Sequence, residues 1–142
     1  MRTARMRVDD RGCYYHLTNR LCGPRDSYPI TDVDKEKGFK MIEQLSSFYL
    51  LEIISVAWMG NHFHVVLYAP CADELPSHAE IAQRHNDYYG NQKPEIDAND
   101  TEACAEIGRQ MIDISHFMRV LQQKWTDYSN SYQGFHPTAN MF

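Results

Sequence analysis

Apolar and polar residues are arranged along the chain in patterns that predict six elements, in the order strand, helix, strand, strand, helix, helix. Three stretches rich in β-branched and aromatic residues, each followed by turn-forming residues, are typical of strands. Three longer stretches with apolar residues every three or four positions are typical of helices. The expected strands are 13–19, 51–58 and 62–69, and the expected helices are about 32 to 50, 77–89 and 113–129.

Helix-start signals support these assignments. Thr31 or Asp32 is expected to cap the first helix, and Ser77 begins the second with Glu80 three residues later, the pattern of a capping box. Residues 90–100 are polar and rich in turn formers, so we expect a loop or flexible insert there. The apolar positions expected to face the core are Phe39, Ile42, Leu45, Phe48 and Tyr49 in the first helix and Ile114, Phe117, Met118, Leu121 and Trp125 in the third.

The order of the first four elements is the opening of a ferredoxin-like α+β fold, in which helices pack on one face of an antiparallel sheet. The 142 residues, 43% of them hydrophobic, suit a single domain over 1–142, and no repeat or linker divides them. No apolar run approaches the roughly 18 residues that span a bilayer. The basic N-terminus has no apolar stretch after it, so it does not resemble a signal peptide. We therefore predict a cytoplasmic protein without a membrane partner.

The net charge of −5 argues against nucleic-acid binding when it is taken alone. The charges are unevenly distributed, however, because acids are concentrated in residues 95–106 and arginines near the N-terminus. Such a distribution is compatible with a local DNA-binding face, although a solvated mixed surface explains it equally well. The arginines of the first 25 residues are Arg2, Arg5, Arg7, Arg11, Arg20 and Arg25.

The cysteines show no C-x-x-C spacing, so in a cytosolic protein we expect free thiols. A zinc site that combined two cysteines with two histidines would match no common zinc module. The residues of that alternative are Cys13, Cys22, His62 and His64.

His62 and His64 lie one residue apart inside the apolar run VAWMGNHFHVVLY. Alternate side chains of a strand share a face, whereas in a helix these two would lie about 200° apart. Imidazole pairs are common ligands of divalent metals, and two ligands leave positions open for catalysis. The pattern predicts a metal site on the face opposite the helices, with two ligands and no third from this chain. Tight metal binding would instead point to His16 of the first strand as a third ligand. Histidines that merely bond to their neighbours are the alternative.

Three blocks of the sequence resemble one known family. M-G-N-H-F-H-V-V-L at 59–67 resembles the histidine motif of the HUH single-strand DNA transposases, and most closely M-P-N-H-[FV]-H-[LIV] of the REP-associated tyrosine transposases. YYHLTNR at 14–20 is similar to the family's first strand. DISHFMRVLQQKWTDYSN at 113–130 is similar to its long helix. Gly60 departs from the pattern where the family prefers proline, and a turn tolerates either residue.

The resemblance implies an HUH-type enzyme that cuts and rejoins single-stranded hairpin DNA through a 5′-phosphotyrosine intermediate. It implies that His62 and His64 hold a divalent cation, Mg²⁺ or Mn²⁺, which offsets the charge that develops on the oxygens of the scissile phosphate. A tyrosine is a suitable covalent nucleophile. Dimers are common in the family, so a homodimer is a further expectation.

The family's nucleophile stands in a Y-[IV]-x-x-N-P motif on a later helix, and the chain does not contain this motif. The resemblance therefore implies a fragment or a naturally shortened copy that has the metal half of the site and lacks the C-terminal catalytic helix. Tyr128 is the candidate substitute, although it aligns with an aromatic residue that precedes the family's asparagine, here Asn130. The candidate DNA phosphate contacts are Arg20, Arg25, Arg119 and Lys124.

Two other functions remain open. The first is a non-enzymatic DNA-binding module that derives from a transposase and keeps hairpin recognition. The second is a small metal-dependent hydrolase unrelated to DNA. Binding of a hairpin oligonucleotide separates the second from the DNA-directed functions.

Overall fold

The computed structural model describes residues 10–20 and 30–132, which contain three β-strands and four α-helices. Two short 3₁₀ turns, Ala72–Glu74 and Gly90–Gln92, flank the second helix. In chain order the elements are β1 Cys13–Arg20, α1 Asp32–Ser46, β2 Glu52–Trp58, β3 His62–Ala69, α2 His78–Tyr89, α3 Thr101–Met111 and α4 Ile114–Tyr132.

The three strands form an antiparallel sheet in the order β1-β3-β2, so β3 has a neighbour on both sides. The turn between β2 and β3 is closed by a hydrogen bond from the Met59 amide to the His62 carbonyl at 2.8 Å. An irregularity between Ile53 and Ser55 shifts the register of β2 against β3. The α+β class and the antiparallel sheet are therefore confirmed, whereas the ferredoxin-like type stays a prediction.

One face of the sheet, here called the covered face, carries the core. Phe63, Val65 and Leu67 of β3 have no exposed surface, and their neighbours on the flanking strands include Leu17 and Trp58. Helix α4 packs on this face, since its Trp125 stacks on Trp58 with ring centroids 4.9 Å apart. The five apolar positions predicted for this helix, Ile114, Phe117, Met118, Leu121 and Trp125, are all buried.

Helix α1 begins with the cap that the sequence predicts. The Thr31 side chain accepts from the Asp34 amide, and the Asp34 carboxylate accepts from the Thr31 amide at 2.9 Å, which completes a capping box. The helix approaches β2 closely at Gly38, where an added Cβ would lie 2.3 Å from the Trp58 ring. Phe39 is 46% exposed, so its predicted place in the core was wrong.

The end of α1 is held by a side chain from another helix. The helix ends at Ser46, so Phe48 and Tyr49 lie beyond it although both are buried as expected. The Arg84 guanidinium of α2 donates hydrogen bonds of 2.8–2.9 Å to three carbonyl groups, those of Ser46, Phe48 and Tyr49. The Ser46 carbonyl is one of the acceptors that a helix end otherwise leaves without partners, and the other two belong to the segment that follows α1.

Helix α3 is the one helix of the four that the sequence pattern did not predict. Residues 93–99 form the expected loop, but Asp100 then caps α3 by accepting from the Ala103 amide at 3.1 Å. Helix α3 packs against α2 and buries Cys104, Gly108 and Met111. No element was predicted for residues 101–112.

Candidate functional site

His62 and His64 lie next to each other on the face of the sheet that the described residues leave half-exposed, here called the open face. Burial alternates along β3, so both histidines are half-exposed while Phe63 between them is fully buried. Their ring centroids are 4.9 Å apart. The predicted strand and the shared face are confirmed by this arrangement.

Asn61, in the turn before β3, contacts the ring of His62. The oxygen of its side-chain amide lies 2.8 Å from Nδ1 of His62. An amide oxygen can only accept a hydrogen bond, so this contact places the proton of a neutral His62 ring on Nδ1. The lone pair of the ring is then on Nε2, where a metal ligand needs it.

His64 has an equivalent contact on its other side. Nε2 of His16 lies 3.0 Å from Nδ1 of His64, and the two ring centroids are 5.1 Å apart. His16 belongs to β1 and stands opposite Val66, on the open face and exposed to solvent. One of the two nitrogens must donate and the other must accept. The three histidines thus form a row across two neighbouring strands.

A divalent cation is compatible with the two imidazoles of β3, because neutral nitrogen donors suit such ions. Among residues 10–20 and 30–132 no group of three or more histidine, cysteine, aspartate or glutamate side chains is arranged to hold a metal ion. A cation held by the pair would therefore take its remaining ligands from water or from phosphate oxygens of a bound nucleic acid. Such a site is open rather than structural.

The alternative zinc site is not assembled. Cys13 pairs with Ala69, whereas His62 pairs with Arg20 at the other end of the same ladder. The two ends are seven positions apart along the strand, or about 23 Å. Cys22 lies outside the described residues. Cys13, Cys71 and Cys104 are free thiols, as expected.

Among the predicted phosphate contacts that lie in the described residues, Arg20 is the one that the structure brings to the histidines. It is exposed at the end of β1, and directly opposite residues of an antiparallel pair share a face, so Arg20 lies beside His62 on the open face. Arg119 and Lys124 belong to α4, which packs on the covered face. Arg25 lies outside the described residues.

Tyr128 lies on the other side of the sheet from the histidines. Its ring packs against Trp125 of the covered face, and its hydroxyl donates a hydrogen bond of 2.8 Å to the Asp34 carboxylate. Asp34 is 3% exposed, and its second carboxylate oxygen accepts from the amide and hydroxyl of Thr31. The contact joins α4 to the start of α1.

A tyrosine–histidine pair lies within the helical layer. The Tyr49 hydroxyl is 2.6 Å from Nδ1 of His116, and burial is the main reason that the pKa of Tyr49 lies above its usual range. Burial also lowers the pKa of His116, and the positive charge of Arg119 lowers it further. Both shifts favour the neutral groups, so the tyrosine donates and the histidine accepts.

Comparisons of the chain with protein-family models, with curated proteins and with solved structures found no match. These comparisons therefore assign the chain to no family. In the part of the chain that the structure describes, no helix is both long enough and apolar enough to cross a membrane.

Proposed function

We propose that this chain is the metal-binding part of an HUH-type domain that acts on single-stranded hairpin DNA. The observation that carries the proposal is the histidine pair on the open face, with Nδ1 of each ring held by a neighbour. In this proposal His62 and His64 hold Mg²⁺ or Mn²⁺ through Nε2, and the cation polarises a scissile phosphate. Arg20 contacts a neighbouring phosphate. The ferredoxin-like type of sheet is part of the same proposal, and the order β1-β3-β2 supports it.

A second function is a DNA-binding module without strand cleavage. The position of Tyr128 favours it, because the hydroxyl of the only substitute nucleophile that the resemblance offered is bonded to Asp34 on the covered side. A phosphate polarised beside the histidines would then not be attacked by the Tyr128 hydroxyl. The homodimer and the cytoplasmic location stay predictions.

The test uses an end-labelled hairpin oligonucleotide with a single-stranded flank, in the presence of Mn²⁺. On a native gel we expect a shifted complex that weakens as salt increases, because phosphate contacts release counterions. Arg20→Gln should weaken the complex several-fold. On a denaturing gel we expect no covalent adduct.

Two variants show whether the histidines are involved. His62→Ala combined with His64→Ala should abolish the effect of Mn²⁺ on DNA binding, whereas His78→Ala, which removes a histidine of α2, should not change it. Absence of any shift at low salt would refute the DNA-binding proposal. A protease-sensitive adduct that disappears in Tyr128→Phe would instead identify an active nuclease, and the structural role of Tyr128 would be wrong.

A further inference from the structure

The two histidines of β3 are engaged at the same ring nitrogen by different partners. Nδ1 of His62 faces the Asn61 side-chain oxygen at 2.8 Å, and Nδ1 of His64 faces Nε2 of His16 at 3.0 Å. The first partner is the preceding residue in the turn, and the second comes from the neighbouring strand, 48 residues away in sequence. In both rings Nε2 is the nitrogen left for another ligand.

The partner of Nδ1 decides which nitrogen of a neutral imidazole has the lone pair. The Asn61 oxygen can only accept a hydrogen bond, so a neutral His62 ring in this contact has its proton on Nδ1. The contact between His16 and His64 permits two arrangements. If His16 donates, the proton of His64 is on Nε2 and that nitrogen cannot bind a cation. If His16 accepts, the proton of His64 is on Nδ1 and its Nε2 is available.

We propose that His16 is a positioning residue that accepts the Nδ1 proton of His64 and so keeps the Nε2 lone pair of His64 available for the cation. This inference rests on the proposed function, because it assigns His16 a role in that same site. It also makes the two halves of the site equivalent, with Asn61 orienting His62 and His16 orienting His64. Partners of this kind fix the tautomer and the ring orientation of metal-binding histidines.

The fold supports a role for His16 that does not include direct binding of the metal. Nε2 of His16 lies 3.0 Å from Nδ1 of His64, so this nitrogen is engaged with the ring of His64. The ladder between β1 and β3 fixes the spacing of the two rings, since Leu17 pairs with Val65 and Thr18 with His64. His16 is exposed, so its replacement leaves no cavity and should not prevent folding.

Three variants at position 16 differ in whether they present a hydrogen-bond acceptor to His64. Glutamine places an amide oxygen near the position of the histidine Nε2 and can still accept the proton of His64. Asparagine places its oxygen near the position of Nδ1, too short to reach His64, and alanine has no acceptor. Thr18→Val is the matched control, because Thr18 stands opposite His64 on the same face and valine keeps its shape.

The first measurement needs no metal. Long-range ¹H–¹⁵N NMR spectra of the ¹⁵N-labelled protein report which ring nitrogen is protonated. We expect the proton on Nδ1 of both His62 and His64 in the wild type and in His16→Gln. In His16→Ala and His16→Asn the proton of His64 should move to Nε2 in a substantial fraction of molecules, while that of His62 stays on Nδ1.

The second measurement is Mn²⁺ affinity, followed by the EPR signal of the free ion. Loss of an outer partner of a metal ligand lowers metal affinity by about 10–100-fold, so we expect at least a tenfold loss in His16→Ala and His16→Asn. The affinity of His16→Gln should stay within a few-fold of the wild type, and Thr18→Val should equal the wild type. Thermal unfolding of each variant verifies that the fold is intact.

The outcomes separate this inference from the function on which it rests. Equal loss of affinity in all three variants, glutamine included, would show that His16 binds the metal itself and would overturn the positioning role. The positioning role would also be overturned if neither the tautomer of His64 nor the Mn²⁺ affinity changed in His16→Ala. If the wild type binds no Mn²⁺, the proposed metal site fails, and the tautomer measurement alone then decides whether His16 orients His64.

Discussion

Replacing Tyr128 with phenylalanine removes one hydroxyl group and with it the hydrogen bond between α4 and α1. The Asp34 carboxylate that accepts this bond is 3% exposed, so water cannot readily replace the lost donor. A hydrogen bond to a charged group contributes about 1.5–3 kcal/mol. The other carboxylate oxygen keeps its two bonds to Thr31, so the loss is restricted to one acceptor. We expect the free energy of unfolding to fall by about 2 kcal/mol, or roughly 4–8 °C in Tm.

The assay is urea denaturation followed by circular dichroism, with Tyr14→Phe as the control. Tyr14 is 68% exposed on the open face, and loss of its hydroxyl should change the stability by less than about 0.5 kcal/mol. A double-mutant cycle of Tyr128→Phe with Asp34→Ala should give a coupling energy of about 1–3 kcal/mol.

Two results would refute this reasoning. Wild-type stability in Tyr128→Phe, or additive effects of the two substitutions, would show that the hydroxyl and the carboxylate do not stabilise the fold together. The first of these results combined with loss of a DNA adduct would place Tyr128 in catalysis.

Three further predictions concern the layer of helices. Gly38→Ala should lower stability by about 1–3 kcal/mol despite the better helix propensity of alanine, because the new methyl group would overlap the Trp58 ring. Thermal unfolding measures the change in stability, and a more stable variant would contradict the close approach of α1 to Trp58. Arg84→Met should lower stability by roughly 2–3 kcal/mol, because it removes the donors from three carbonyl groups at the end of α1 and in the segment after it. An unchanged midpoint of urea denaturation would be inconsistent with that role. The pKa of His116 is lower in the fold than in the unfolded chain, so between these two pKa values the unfolded chain binds more protons. The contribution of neutral His116 to stability is complete above the ordinary histidine pKa of about 6.5 and is lost as the pH falls through and below that value. The variant His116→Gln should therefore lose less stability than the wild type between pH 7.5 and pH 5. An identical pH dependence in the two proteins would argue against the lowered pKa of His116.

The local pattern predicted most of the elements and the geometry of the histidine pair. A period of two residues is a property of any strand, so His62 and His64 had to share a face once HFHVVLYA was assigned as a strand. The cap at Thr31 and the start of α2 after Ser77 depend on bonds within three residues. Features of this kind are local, and the sequence alone is sufficient to predict them.

Positions on a helix were less certain, because several faces of α1 carry apolar residues. The structure turns inward the face with Gly38, Met41, Ile42 and Leu45, where the glycine lets the helix approach the Trp58 ring. Phe39 is then about 100° away from that face and is exposed. Helix α3 was missed although Cys104, Ile107 and Met111 recur at helical spacing and form the face that packs against α2.

The contacts that define the candidate site required the tertiary structure. Whether His16 meets His64 depends on β1 pairing with β3, and whether Tyr128 meets Asp34, 94 residues away, depends on α4 packing against α1. The sequence predicted that the helices lie on the face opposite the histidines, but it did not show that Tyr128 would reach Asp34 of α1. Strand order and helix packing are set by burial of the whole core, and no local pattern of residues contains that information.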